Sequence, residues 1–344
     1  DVDPPAGLIL LSGLTPCYAL RIVQAAAPYL RATQHSRPGF LVSISRLDGA
    51  FGFLGQPLAA PEDGALAGLI KTAALEWPEV VCQAMDLSPE WDNNRAAAEA
   101  IVNEIVHLSA ASPRELGITP DGRLGLALLP APVTSGDLDL ERDDIILISG
   151  GARGVTAAAA LALAEAAPVR LILLGHTPAP EADPQWLMRC VEASEMKRAL
   201  MANAFDAPPS PKELEAAYRR YQAQRDIQAT LNTLAKAGAR ASYHSVDIRD
   251  SDALAALLEA LRHEGGTIRG VIHGAGVLED RLIVDKTPAQ FERVYATKVE
   301  GLAAILAATD GDELRQIVLY SSVSGRMGNS GQADYAMANE ALNK

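Results

Sequence analysis

Residues 317–339 read Ile-Val-Leu-Tyr-Ser-Ser-Val-Ser-Gly-Arg-Met-Gly-Asn-Ser-Gly-Gln-Ala-Asp-Tyr-Ala-Met-Ala-Asn, and the other features of the chain are best understood from this stretch. An apolar run typical of a buried strand ends in two serines, a turn with three glycines follows, and a helical pattern then begins near Tyr335. Ser322 and Tyr335 lie thirteen positions apart. A strand–loop–helix unit of this kind can bring their two hydroxyl groups over one pocket.

Strands and helices alternate along the whole sequence. The strands are continuous apolar runs and not alternating ones, which indicates a parallel sheet covered on both faces. In the first half we expect strands at 8–11, 40–45, 80–86 and 124–129, and helices at 18–31, 64–77 and 94–108. In the second half we expect strands at 145–148, 169–174, 270–273, 317–320 and one ending at 247, and helices at 156–167, 251–263 and 291–308, with a long helical insertion at 178–240.

A loop-like and acidic segment at 130–144 makes the best domain boundary, and a chain of 344 residues is long enough for two domains. Residues 45–56 and 321–332 coincide at one Ser, three Gly and one Gln when they are aligned at an offset of 276 positions. We therefore predict an α/β protein with two Rossmann-like subdomains, a truncated structural copy at 1–138 and a catalytic copy at 139–344.

The first copy lacks the residues that make the second chemically interesting. It has Arg46 where the second has Ser322, Ala59 where the second has Tyr335, and no glycine-rich loop after its first strand. The sequence thus predicts a degenerate first copy that supports a working second one.

Composition excludes several classes of protein. The chain is 49% hydrophobic and 21% charged, as in ordinary globular proteins, and its net charge of −13 argues against a nucleic-acid surface. The longest apolar run, 156–167, is too short for a membrane span. The start at Asp1 shows neither a signal peptide nor an initiator Met, which suggests a piece of a longer polypeptide. Three scattered cysteines fit a reducing, cytoplasmic compartment, and the Cys and His residues show no metal-ligand spacing.

A glycine-rich loop connects the strand at 145–148 to the following helix. Its backbone N–H groups and the helix dipole can hold a diphosphate. A lone glycine cluster is also compatible with a plain tight turn, but this one opens the first βα unit of a parallel sheet, which favours a dinucleotide site. The loop residues are Gly150, Gly151, Ala152, Arg153, Gly154 and Val155.

Other strand ends favour NADPH as the dinucleotide. Arg153 either lies beside an adenosine 2′-phosphate or is a solvated surface arginine. The second strand ends at His176 and offers no acid that would bind a free 2′-hydroxyl. Asp247 and Ile248 follow the third strand, where Asp247 either bonds the adenine or caps the next helix. Gly274, Ala275 and Gly276 end the fourth strand, where small residues allow close approach of a cofactor.

Reduction of a ketone by hydride transfer requires a proton donor for the developing alkoxide. A tyrosine has an unperturbed pKa of about 10, and a nearby ammonium group lowers it because it favours the phenolate. A serine hydroxyl can polarise the carbonyl. Tyr335, Ser322 and Lys298, on the preceding helix, supply these three groups. Each residue alone is more often structural; their combination behind a dinucleotide loop favours a reductase.

These residues resemble the short-chain dehydrogenase/reductase superfamily, and more closely the ketoreductase domains of type I polyketide and related fatty acid synthases. Classical members have Tyr-x-x-x-Lys, whereas this sequence has Asn339 at the Lys position. The synthase ketoreductases exchange Lys and Asn, and Lys298 with Asn339 matches that exchange. The stretch at 273–280 resembles the family's His-Ala-Ala-Gly-Val and Leu-Asp-Asp motifs, with Glu279 replacing one Asp.

The resemblance implies NADPH-dependent reduction of a 3-ketoacyl thioester on an acyl carrier protein, with a D (3R) alcohol as product. Tyr335 would donate the proton, Ser322 would hold the carbonyl oxygen, and Lys298 would lower the tyrosine pKa. Asn339 would support this network. The implied partners are a phosphopantetheine-bearing carrier protein and other synthase domains. Alternatives are a free-standing short-chain alcohol dehydrogenase and a non-catalytic scaffold or cofactor-sensing domain.

Three further features refine the resemblance. The motif at 149–156 and the helical insertion are most similar to the polyunsaturated fatty acid synthase type. His176 stands where the family has Arg, so the 2′-phosphate would depend more on Arg153. Family members continue beyond the position of Lys344, which implies that the C-terminal part of the catalytic copy is absent from this sequence.

Overall fold

The computed structural model describes residues 7–32, 38–91, 93–132, 136 and 138–344. Two five-stranded sheets are found there. Part of the predicted linker, at 133–135 and 137, lies outside the described residues. Among the helices within these ranges, none combines the length and apolar composition that a membrane span requires.

The chain forms two compact units, and the first contains the N-terminal sheet. Its strands lie in the order β1-β2-β3-β4-β5, parallel except for the antiparallel pair β4–β5. Pro16 begins the first helix, and the Asn93 side chain caps the third by accepting the Ala96 N–H at 2.8 Å. The elements are β1 (Gly7–Leu11), α1 (Pro16–Leu30), β2 (Phe40–Ser45), α2 (Ala65–Glu76), β3 (Val81–Leu87), α3 (Asn94–Val106), β4 (Glu115–Thr119) and β5 (Gly122–Leu124).

The predicted strand at 124–129 is wrong. Leu128 and Leu129 are 75% and 81% exposed, and residues 125–129 form no strand. The last parallel strand of this sheet is β4, which the sequence did not reveal because Gly117 interrupts a short apolar run. That glycine is required, since a Cβ there would lie 2.0 Å from the Gly49 carbonyl oxygen.

The second unit contains the other sheet, with all strands parallel in the order β10-β9-β6-β7-β8. The strand order reverses between β6 and β9, which is the arrangement of a doubly wound fold. The elements of the second half are β6 (Ile145–Ser149), α4 (Gly154–Ala166), β7 (Arg170–Gly175), α5 (Ala193–Asn203), α6 (Pro211–Lys236), β8 (Arg240–Ser245), α7 (Ser251–His263), β9 (Ile268–His273), α8 (Pro288–Ala308) and β10 (Gln316–Leu319).

The segment predicted as an insertion, 178–240, contains the crossover between β7 and β8. Parallel neighbours need such a connection, and α6 supplies it. Ile227 and Leu234 of α6 are 1% exposed and belong to a hydrophobic core shared with β6 and β7. The extra element is therefore the shorter α5.

Two segments beyond residue 138 belong to the first compact unit and not to the second. The first consists of Asp1–Ser135, Gly276–Glu300 and Ser321–Lys344, and the second of Gly136–Ala275 and Gly301–Tyr320. Helices α9 (Val323–Met327) and α10 (Ala333–Leu342) thus belong with the N-terminal sheet. The physical reason is close helix packing: a Cβ on Gly68 of α2 would lie 2.7 Å from the Ala336 backbone of α10. The assignment of structural and catalytic roles to 1–138 and 139–344 stays a prediction.

The loop after β2 folds around a buried carboxylate. Asp86 is fully buried, and its two oxygens accept the Ser45 hydroxyl and the backbone N–H groups of Leu47, Gly49 and Phe51, each at 2.8 Å. The related segment after β10 instead forms α9. The same glycine spacing thus serves two different local structures.

Candidate active site

The glycine-rich loop after β6 is shaped by close backbone contact. Gly150 and Gly154 have φ values of 70° and 62°, which favour glycine. A Cβ on Gly150 would lie 2.9 Å from the backbone of Gly274 and Ala275, and one on Gly151 would lie 2.5 Å from an Ile148 methyl carbon. The carboxyl ends of β6 and β9 therefore approach so closely that side chains are excluded there.

A buried polar pair lies beneath this loop. The Ser149 hydroxyl and His273 Nδ1 are 2.7 Å apart, and the Ala275 N–H donates to the same hydroxyl at 3.4 Å. Both side chains are at most 1% exposed. This pair was not predicted, although polar residues at the ends of two neighbouring strands are a signal that could have revealed it.

Thr156 occupies the position where the third glycine of a dinucleotide motif is expected. A Cβ on Gly274 would lie 2.4 Å from the Thr156 hydroxyl oxygen, so these two residues fit together only because 274 is a glycine. On the other side of the loop, the Thr230 hydroxyl of α6 donates to the Ala152 carbonyl at 2.8 Å. This hydrogen bond was not predicted, because no sequence pattern indicates that Thr230 lies near the glycine-rich loop.

Arg153 stands at the start of α4 with an exposed side chain that makes no capping bond. Its charge acts on Tyr243 of β8: burial raises the pKa of that phenol, and Arg153 opposes the rise. The Tyr243 hydroxyl donates to the Thr177 carbonyl at 2.7 Å, directly after the exposed His176. Arg153 and the residue after His176 thus both interact with Tyr243.

Asp247 does not cap α7. That role belongs to Asp250, whose side chain accepts the Ala253 N–H at 3.0 Å. Asp247 is exposed and pairs with Arg249 at 2.7 Å, and this bond is the main reason that the pKa of Asp247 is lowered. Ile248 beside it is 6% exposed.

Lys298 and Tyr335 are brought together in the first unit. The Lys298 ammonium lies 5.4 Å from the centre of the Tyr335 ring. The Lys298 residue is 3% exposed, and burial lowers its pKa to about 8. Its stem packs on Gly276, where a Cβ would lie 3.1 Å from Lys298 Cε. An additional side chain at position 276 would therefore disturb the lysine.

Asn339 lies one helical turn after Tyr335 on α10 and is fully buried. Its Nδ2 donates to the Tyr335 carbonyl at 2.7 Å, and the Ser321 hydroxyl donates to the Asn339 carbonyl at 3.3 Å. Asn339 Oδ1 is buried and has no hydrogen-bond partner among the described residues. A buried amide oxygen in this state can accept a bond from a water or a ligand.

Ser322 is half-buried and caps α9. Its hydroxyl oxygen accepts the Ser324 N–H at 3.1 Å, which uses a lone pair and leaves the hydroxyl hydrogen able to donate. Ser322 follows Ser321 directly, so it lies next to the residue that bonds the Asn339 backbone.

The predicted site residues thus form two groups. Lys298, Tyr335, Asn339, Ser322 and Gly276 belong to the first unit. The second unit collects the remaining predicted residues at the carboxyl ends of its parallel strands, where doubly wound folds bind ligands. No cluster of three or more metal-ligating side chains occurs in the described part of the chain.

Comparison with known proteins identifies related chains. The family model described as "KR domain" matches residues 145–344. A polyunsaturated fatty acid synthase chain of Thraustochytrium sp. is 33% identical over 338 residues, which is 93% of this chain and 12% of that protein. Polyketide synthase PksN of Bacillus subtilis is 41% identical over 114 residues, which is 33% of this chain and 2% of that protein. The chain thus spans a small part of the relatives that it matches.

A solved structure shares the fold. PlmKR1, a ketoreductase from the first module of phoslactomycin biosynthesis in Streptomyces sp. HK803, superposes with a TM-score of 0.70 at 24% identity. The match covers 98% of this chain and 65% of that one. This likeness confirms the predicted Rossmann-like α/β fold.

Proposed function

This chain belongs to the KR domain family, the ketoreductase domains of polyketide and polyunsaturated fatty acid synthases, and we propose that it reduces a 3-ketoacyl thioester with NADPH to the 3-hydroxyacyl thioester. The substrate would be carried on an acyl carrier protein. The observation that carries the proposal is the buried Lys298 ammonium over the Tyr335 ring, together with Asn339, one helical turn after Tyr335, whose Oδ1 has no hydrogen-bond partner among the described residues.

The residues of the second unit fit NADPH. The Gly150 N–H already donates to the Leu174 carbonyl at 2.9 Å, whereas Gly154 opens α4, at the start of a helix where a diphosphate is favoured. Arg153 would bind the 2′-phosphate, and His176 in place of an acid removes the repulsion that such a phosphate would otherwise meet. Bound NADPH would supply the hydride.

The first unit would supply the acid chemistry. Ser322 would donate a hydrogen bond to the ketone oxygen and so polarise the carbonyl. Tyr335 would give its phenolic proton to the developing alkoxide, and Lys298 would stabilise the phenolate that remains. Asn339 Nδ2 donates to the Tyr335 carbonyl and so holds the backbone of that residue. Its Oδ1 would accept a hydrogen bond from a water that restores the proton to the Tyr335 phenolate.

The reaction is expected to slow as the pH rises through about 8. Burial lowers the pKa of Lys298 to about 8, so its ammonium is charged below that pH and neutral above it. The neutral amine no longer favours the Tyr335 phenolate. The measurement is kcat for NADPH oxidation with a 3-ketoacyl N-acetylcysteamine thioester between pH 6 and 10. A variant Lys298→Met that keeps both the rate and the profile of the natural protein would contradict this role.

Arg153→Ala is expected to weaken NADPH use selectively. A charged hydrogen bond to the 2′-phosphate contributes about 1.5–3 kcal/mol, so kcat/KM for NADPH should fall by about 10- to 100-fold while that for NADH stays unchanged. Arg142→Ala, which removes another exposed arginine of the second unit, is the matched control. An unchanged NADPH-to-NADH preference in Arg153→Ala would assign the 2′-phosphate to other residues.

Finer features also belong to this proposal. The relative that is 33% identical across 93% of the chain supports the polyunsaturated fatty acid synthase type. The 278–280 motif supports a D (3R) product, which chiral separation of the hydroxyacyl product would test. The loop filled by Asp86 supports a structural role for the first half, because its own carboxylate occupies the backbone donors there.

A further inference from the structure

The loop at 277–287, which leads from Gly276 to α8, is held by a buried ion pair. The Lys286 side chain is 0% exposed, and its ammonium donates to Asp334 Oδ2 at 2.7 Å. It also donates to the Glu279 carbonyl at 2.7 Å. The Asp334 side chain is 2% exposed. Lys286, near the end of the loop, thus joins the loop to the first turn of α10.

Asp334 continues this connection to Tyr335. Its second oxygen, Oδ1, accepts the Tyr335 N–H at 2.9 Å. The beginning of the loop contacts Lys298, the residue whose ammonium lies over the Tyr335 ring, because Gly276 packs against the Lys298 stem. The loop therefore contacts Lys298 at one end and, through Lys286 and Asp334, the Tyr335 backbone at the other.

The rest of the loop is fixed from the N-terminal half of the same unit. Glu76 of α2 accepts the Ile283 N–H at 2.8 Å with one oxygen and the Gly331 N–H at 2.9 Å with the other. Gln24 of α1 donates to the carbonyls of Ile283 and Lys286, both at 2.7 Å. These bonds hold the loop backbone that carries Lys286, so the position of its ammonium is well determined.

A contribution to fold stability does not by itself explain why Lys286 and Asp334 form a buried ion pair. Burying two charges costs several kcal/mol of desolvation, and apolar residues of similar volume often stabilise a protein equally well or better. An ion pair with a further carbonyl bond supplies direction instead, because each N–H donor must point at its acceptor. What it directs is the first turn of α10, which begins at Ala333 and carries Tyr335.

We propose that Lys286 is a positioning residue for the reduction, which acts through Asp334 to hold the Tyr335 side chain in register with Lys298. The inference rests on the proposed ketoreductase function. Lys286 bonds Asp334, and Asp334 in turn accepts the Tyr335 N–H, so the lysine acts on the backbone that carries Tyr335. Its loss should therefore affect the chemical step and leave cofactor binding intact.

The test is the steady-state kinetics of Lys286→Met and Asp334→Asn in the full-length protein. A shift of about 1 Å in a reacting group can cost about 10²-fold in rate, so kcat should fall by that order while KM for NADPH changes less than about twofold. A larger deuterium isotope effect with NADPH labelled at the transferred position should accompany the fall. The double variant should be no slower than the slower single one, because both changes break one connection.

Lys197→Met is the matched control, since it removes a lysine from the half-exposed pair with Glu215 in the second unit. It should leave kcat and KM unchanged. If Lys286→Met and Asp334→Asn fold, as shown by circular dichroism and melting, and keep kcat within twofold, the proposal is wrong. Should Lys286→Met fail to fold, Asp334→Asn decides, because the amide retains an oxygen for the Tyr335 N–H. Loss of folding in both would assign the pair to stability alone and overturn the proposal. If the unsubstituted protein does not reduce the thioester, the proposed ketoreductase function itself is refuted.

Discussion

Tyr335→Phe should lower kcat for 3-ketoacyl thioester reduction by about 10²–10⁴-fold, the range that a positioned general acid contributes. The substitution removes only the phenolic hydroxyl and keeps the ring under the Lys298 ammonium. The dissociation constant for NADPH should therefore stay within about twofold. Stopped-flow oxidation of NADPH measures the first quantity, and fluorescence titration with NADPH measures the second.

Tyr295→Phe is the matched control for this experiment. Its hydroxyl is buried on α8 and has no hydrogen-bond partner among the described residues, so its removal should leave kcat unchanged and cost no stability. Equal turnover by Tyr335→Phe and the natural protein would refute the proton-donor role. If the unsubstituted protein binds NADPH but does not oxidise it with either free or carrier-bound substrates, the result would favour the scaffold or sensing alternative.

The second large effect concerns stability. Glu340 on α10 has a fully buried side chain that pairs with Lys71 at 3.4 Å, Arg326 at 3.2 Å and Lys344 at 2.9 Å. Burial lowers the pKa of Lys71 to about 7, and Glu340 opposes this fall most strongly. Glu340→Gln removes the charge on which these cations converge. Breaking a buried pair costs about 3–5 kcal/mol, and we expect the free energy of unfolding to drop by that amount.

Urea unfolding monitored by circular dichroism measures this change. Glu99→Gln is the control, because Glu99 and its partner Arg95 are 66% and 89% exposed and such surface pairs contribute about 0–1 kcal/mol. A loss below about 1 kcal/mol for Glu340→Gln would mean that the remaining Glu115, which also pairs with Lys71 and Arg326, compensates for the missing charge.

The sequence predicts the doubly wound sheet well, because its central strands β6, β7 and β9 are largely buried apolar runs. It also brings together Lys298 and Tyr335 correctly, although they lie on different helices. What it cannot show is which helix covers α10. Gly68 of α2 contacts Ala336 of α10, and both helices are rich in small residues, so their sequence patterns do not indicate which helices pack together. For this reason the compact units divide the chain differently from the predicted boundary.

The charged residues illustrate a second limit. Lys286 and Asp334 are 48 positions apart and stand next to helix starts, where charged residues ordinarily indicate solvent exposure. Only the folded chain shows that both are buried. The same holds for Thr230, whose bond to the Ala152 carbonyl depends on how α6 crosses the sheet.

The Asp86 carboxylate limits which substitutions the loop after β2 can tolerate. It accepts hydrogen bonds from four backbone N–H groups and a serine hydroxyl. A substitution that removed the Asp86 carboxylate would leave these buried N–H and O–H donors without acceptors, at a cost of about 1–3 kcal/mol of stability for each unsatisfied donor. The conformation of the loop after β2 therefore depends on this one carboxylate.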